Sequence, residues 1–107
     1  MMERRTEKRL LCADLVRIDW NARKLEGVLE DISPQGASVE VEEPIPPGEA
    51  VSIAEPSGQL ALFTGVVTYC ERRDCGYLVG VRFTGPTAWS CGVFEPQHLT
   101  NPDEIGK

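Results

Sequence analysis

Histidine is nearly absent from this sequence, and basic residues are in short supply. The single histidine, His98, stands near the C-terminus with no evident partner, and Ser33 has no base close to it in sequence. A nucleophile needs such a partner for activation, so no catalytic residue is assigned and no turnover is expected. Lysine and arginine together number 11 against 17 aspartates and glutamates, a formal net charge of -6. That deficit argues against a general nucleic-acid binder, whose affinity rests on clustered cations neutralising phosphates. Only seven residues are aromatic, two Trp, two Tyr and three Phe. Most fall at expected core positions, which leaves little to stack against single-stranded bases.

Long apolar runs are missing too. No segment approaches the roughly 18 apolar residues that span a bilayer. The one early apolar stretch, Leu10 to Val16, is short and interrupted by Asp14, so no secretory signal is expected and the chain is read as cytoplasmic. Cysteines are few and scattered: Cys12, Cys70, Cys75 and Cys91. The expectation is reduced, mostly buried thiols rather than a disulfide framework. Cys70 and Cys75, in "CERRDC", could face each other across a hairpin. Their spacing is not CxxC and no second unit accompanies it, so neither a redox pair nor a metal site is assigned.

Strand signals fill the chain. At 107 residues, 41% hydrophobic and 26% charged, it has the length and composition of one ordinary globular domain with a packed core. "GASVEVEE" alternates Ala37, Val39 and Val41 with Ser38, Glu40 and Glu42. "GYLVGVRF" sets Tyr77, Val79, Val81 and Phe83 against Leu78, Gly80 and Arg82. Such period-two alternation marks half-buried strands. Turn-forming clusters, "WNARK", "SPQG", "PIPPG", "EPSG" and "ERRDCG", divide the chain. Strands are placed near 10–20, 25–33, 36–42, 49–55, 60–70 and 76–84, enough for an all-β, six-stranded antiparallel barrel that hides its own edges. Residues 1–9 read as a flexible polar leader and 10–84 as the barrel. Residues 85–107 read as an irregular or one-turn helical tail starting at "NPDE", pinned by Trp89 and Phe94.

Two motifs carry the chemistry. Arg5-x-x-x-Arg9, preceded by Arg4, places guanidiniums in the leader, able to fork onto phosphate, bond guanine O6 and N7 or stack on a base. Asp31-x-Ser33-x-x-Gly36 lies at a strand junction. Asp31 offers acceptor oxygens for N–H groups on a purine edge, Ser33 donates or accepts, and Gly36 permits positive φ and close backbone approach. Taken singly, RxxxR occurs in many solvated termini and DxSxxG also describes a hydrogen-bonded turn. Taken together, they describe a guanine nucleotide site.

In order, RxxxR, a strand, a strand ending in DxSxxG, "GASVEV", "GEAVSI" and "GYLVGVRF" resemble the PilZ domain family over roughly residues 4 to 84. The resemblance implies a six-stranded β-barrel and a non-catalytic receptor for cyclic di-GMP, with no cofactor beyond that ligand. Arg5 and Arg9 would grip phosphate and guanine, Asp31 and Ser33 would read a guanine edge, and Gly36 would shape the turn. In the family a basic residue at the position of Arg4 is associated with a stacked ligand dimer. The shortened tail departs from the usual longer C-terminal helix. A downstream protein partner and a monomeric or homodimeric state complete the expectation. The alternatives are a PilZ-like interaction module that binds no nucleotide and an oligonucleotide-binding small barrel.

Overall fold

The computed structural model describes residues 10–58 and 61–85. The leader with Arg4, Arg5 and Arg9 and the tail with Trp89, Cys91, Phe94 and His98 lie outside the described residues. Six strands run from β1 (Leu10–Trp20) through β2 (Arg23–Ser33), β3 (Gly36–Val41), β4 (Ala50–Ala54) and β5 (Phe63–Arg73) to β6 (Gly76–Phe83). They close into an antiparallel barrel in the order β1-β2-β3-β6-β5-β4. All six strands expected from the sequence are present. β5 differs most because "ERRDCG" is not a loop: its turn takes only Asp74 and Cys75, with Arg73 opposite Gly76. The charged residues continue the strand as a projecting hairpin arm.

Alternation explains the core. Val16 and Ile18 from β1, Leu29 and Ile32 from β2, and Ala37, Val39 and Val41 from β3 are all buried. Val51 and Ile53, Phe63 and Val67, and Val79 and Val81 join them from β4, β5 and β6. Each such Val, Leu or Ile stabilises the barrel by roughly 1.5–3 kcal/mol relative to exposure. Phe63 and Phe83 stack with ring centroids 4.5 Å apart. Leu78, expected to face solvent, is buried instead.

Tight turns set the register. β1 and β2 meet at Asn21-Ala22, with Trp20 opposite Arg23 and φ of 53° and 64° at the two turn residues. This is the primed hairpin geometry that suits twisted strands, and it normally calls for Asn-Gly. Trp20 donates its indole N–H to Glu49 at 2.9 Å, tying this hairpin to the approach of β4, while the Arg23 guanidinium lies 5.8 Å from the Trp20 ring centroid. The cysteines do not pair. Cys70 stands opposite Val79, Cys75 sits in the turn, and Cys12, Cys70 and Cys75 are all free. Of these only Cys12 is buried, so the expected burial of thiols holds for one of the three described.

Ala22 holds a left-handed conformation that costs a side-chain-bearing residue about 1–2 kcal/mol. Ala22→Gly is therefore expected to stabilise the protein by up to about 1 kcal/mol after the entropy cost of glycine. Urea unfolding should show a raised midpoint at unchanged slope.

Candidate functional site

The DxSxxG segment occupies the end of β2, where the strand carries one residue too many. Leu29 pairs with Val39 and Asp31 with Ser38, leaving Glu30 unmatched as a bulge. Leu29 and Ile32 consequently both point into the barrel, and Asp31 and Ser33 both lie on the outer wall. β5 repeats the device: Val67 pairs with Val81 and Tyr69 with Gly80, leaving Thr68 unmatched. Its hydroxyl donates to the Gly80 carbonyl at 3.2 Å. Bulges of this kind re-aim side chains without dismantling a sheet.

Cross-strand partners share a face, so the register defines rows on the wall. One row runs Leu11, Asp31, Ser38, Gly80, Tyr69. The next runs Ser33, Gly36, Arg82, Val66, Ala50. Asp31 is half-buried and Ser33 buried. Ser33 donates to the Gly36 carbonyl at 3.3 Å, a long and therefore weak bond that a ligand could replace at little cost. Between Ser33 and Gly36 the turn is only Pro34-Gln35, and the Gln35 carbonyl accepts the Phe83 N–H at 2.8 Å.

Gly36 corrects an expectation. Positive φ occurs at Asn21, Ala22, Gly48 and Gly76, not at Gly36. Glycine is needed there for close approach, because a Cβ would sit 2.6 Å from the Val81 carbonyl oxygen.

Sequence reasoning missed Tyr69. Its ring lies across Gly80, where a Cβ would come within 2.1 Å of a ring carbon, and its phenol shares a 2.9 Å hydrogen bond with the buried Ser38 hydroxyl. At 40% exposure, it presents an aromatic surface beside Asp31's row. The signal was the isolated glycine within β6, since such a residue marks close approach by another group. Arg82 was also missed; alternation put it on the solvent face, but only the register places it opposite Gly36.

The barrel's own charge around the motif is mainly acidic. Glu30 lies beside Asp31, shares a hydrogen bond with Glu40 and faces Arg73 at 4.0 Å. Its carboxyl is pushed above the ordinary value of 4.5 by burial first and by the bond with Glu40 second, against the pull of Arg73. The Cys12 thiol is pushed up to about 12 by burial, then by Asp14 and Asp31, and so stays protonated and unreactive. Among the described residues no group of three or more His, Cys, Asp or Glu is placed to hold a metal ion, and no helix is long and apolar enough to cross a membrane. A groove over β4 and β5, lined by Asp19, Ser52, Thr64 and Thr84 among others, contains a carboxylate and no cation, which disfavours an anionic ligand.

The register also brings the chain entrance to this face. β1 starts at Leu10, opposite Ile32, with Leu11 opposite Asp31. The segment preceding Leu10 thus joins the barrel beside DxSxxG, although residues 9 and 31 are far apart in sequence. Acceptor groups, a hydroxyl and an aromatic surface meet there.

The sequence profile described as PilZ domain matches residues 3–90. Among curated proteins, none matches the chain at a significant level.

Two outcomes follow for stability. Gly36→Ala drives a methyl against backbone and should cost about 1–3 kcal/mol. Gly80→Ala meets only the end of a side chain that can swing away, so its cost should be about 1 kcal/mol, from the lost Ser38 bond. Thermal unfolding of both variants checks that order. Because the folded state holds the Glu30 proton more tightly than the unfolded chain does, its contribution to stability falls as pH rises from near 4.5 through the raised value. Urea titrations across that range should show a shallower decline for Glu30→Gln.

Proposed function

Because this chain belongs to the PilZ domain family, we propose that it is a non-catalytic cytoplasmic receptor for cyclic di-GMP whose N-terminal arginines close over the wall of the barrel when ligand binds. The observation that supports the reading is the β1–β2 register: Leu10 opposite Ile32 and Leu11 opposite Asp31 put the start of β1, the strand that follows RxxxR in sequence, beside DxSxxG. That adjacency favours reading two motifs that are unremarkable apart as parts of one site.

The division of labour follows from charge. Glu30, Asp31 and Glu40 make the wall a poor host for phosphate, but Asp31 suits the N–H groups of a guanine edge. Ser33, held only by its long bond to Gly36, supplies a second polar contact, and Gly36 keeps the turn close to β6. Neutralising the phosphates therefore falls to Arg5 and Arg9, with Arg4 favouring a second, stacked ligand molecule. Ordering the leader costs conformational entropy, which the charge-assisted bonds must exceed. The ordered leader presents a new surface to a downstream protein, whether the receptor is a monomer or a homodimer.

A second reading, an interaction module that binds no nucleotide, is favoured by Leu15, 66% exposed on β1 and opposite Val28.

Isothermal titration of cyclic di-GMP into the full chain, with GTP as control, separates the two readings. Saturable binding is expected, weakened roughly tenfold or more in Arg5→Ala, Arg9→Ala and Asp31→Ala, since a bond to a charged group contributes about 1.5–3 kcal/mol. Amide exchange over residues 3–9 should slow with ligand. An intact protein that takes up no heat of binding at millimolar ligand would overturn the receptor reading and leave the interaction module.

A further inference from the structure

We propose that Arg82 is a third anchoring cation of the ligand site, supplied by the barrel itself and directed at a phosphate of the bound nucleotide. This rests on the receptor reading above. Arg82 is exposed and stands directly opposite Gly36 across the β3–β6 ladder, with Val66 on its other side. Ser33, Gly36 and Arg82 thus form one row on the wall, and Gly80, two residues back along β6, belongs to the row of Asp31 and Ser38.

Position sets this arginine apart. Arg17 pairs with Asp19, Arg23 with Glu43, and Arg73 lies 4.0 Å from Glu30. Arg82, like Arg72, has no ion-pair partner among the described residues, but Arg72 stands opposite Tyr77 on the hairpin arm and only Arg82 shares a row with Ser33 and Gly36. Neither of its ladder neighbours bears a charge, so its guanidinium remains available in an otherwise acidic neighbourhood. The carboxylates Glu30 and Glu40 lie on the other side of the Asp31 row, because Glu40 stands opposite Val28 and Leu78. The wall is therefore polarised: acid on one flank of Asp31 and a lone cation on the other.

That polarity fixes a direction for the ligand. Two strand spacings and one two-residue step separate the Asp31 and Arg82 backbones, about 12 Å. A base edge held at Asp31 then points its phosphate across Ser33 and Gly36 toward the forked donors of Arg82. Gly36, in the row of Arg82, has no side chain to stand in the way, and the Tyr69 ring lying across Gly80 offers an aromatic face beside this path. Arg82 is positioned by a strand and so loses little backbone freedom on binding, which makes it a fixed electrostatic landmark.

The test is titration of cyclic di-GMP into the full chain bearing Arg82→Lys, Arg82→Gln or Arg82→Glu, at low and high salt, with Arg72→Gln as a control on a neighbouring strand. The expected result is a Kd that rises in the order Lys, Gln, Glu, about tenfold for Gln and more for Glu. Salt dependence should be shallower for Gln than for wild type, with stoichiometry and melting temperature unchanged. Wild-type binding with an unchanged Kd across the series overturns the role of Arg82 alone, as does an equal loss in Arg72→Gln. Absence of binding by the wild type overturns the receptor reading and this inference with it.

Discussion

A strand side chain has two choices, lumen or wall, and the bulge at Glu30 decides which one Asp31 takes. Leu29 and Ile32 are both buried, yet residues three apart on a regular strand face opposite ways. One unmatched residue reconciles them. Without it, either Leu29 or Ile32 would leave the core, at a cost of roughly 1.5–3 kcal/mol. Asp31 is therefore set on the wall by the packing of its neighbours. Thr68 plays the same part in β5 and delivers Tyr69 to the same row. The geometry of the site is thus enforced from inside the barrel, by apolar residues that no ligand meets.

Electrostatics divides the molecule in a complementary way. The barrel provides acceptors, hydroxyls and an aromatic ring, and its carboxylates repel an anion approaching from most directions. On the proposed reading, the cations that meet the ligand come from the leader and from Arg82. An acidic protein with a basic leader is consistent under this division: the excess of acid discourages polyanions over most of the surface, and screening at physiological salt, about 8 Å, lets a small cluster of arginines act locally.

Much of the fold was legible because alternation is a strong signal where one face is buried: Ala37, Val39 and Val41 read inward from sequence and are inward. Failures came where the period slips or a face has a second cover. Nothing in "LEDIS" announces that Glu30 is unmatched, since a bulge is a relation between strands. Leu78 and Ser38 are buried on the outer side, Ser38 beneath Tyr69, and alternation cannot foresee a side chain folding back over the wall. Of the two reasons given for Gly36, positive φ is not found there, whereas close approach of backbone is: the neighbouring Val81 carbonyl demands glycine. Arg82 looked like an ordinary solvated arginine, because its importance lies in standing opposite Gly36, and sequence does not give register across forty-six residues.

Closure of the barrel limits how such a protein can communicate. With β1 paired to β4, every strand has neighbours on both sides, but the seam is short: β4 meets only Arg17–Asp19 of β1 and Phe63–Val66 of β5, whereas β3 is paired along its whole length with both β2 and β6. A protein that meets the β2–β3–β6 wall must read side chains, because no row of backbone groups along β3 is open to a visiting strand. Recognition by backbone is tolerant of sequence, whereas recognition by side chains is not, so this fully paired part of the wall commits the domain to partners that have matched it residue by residue.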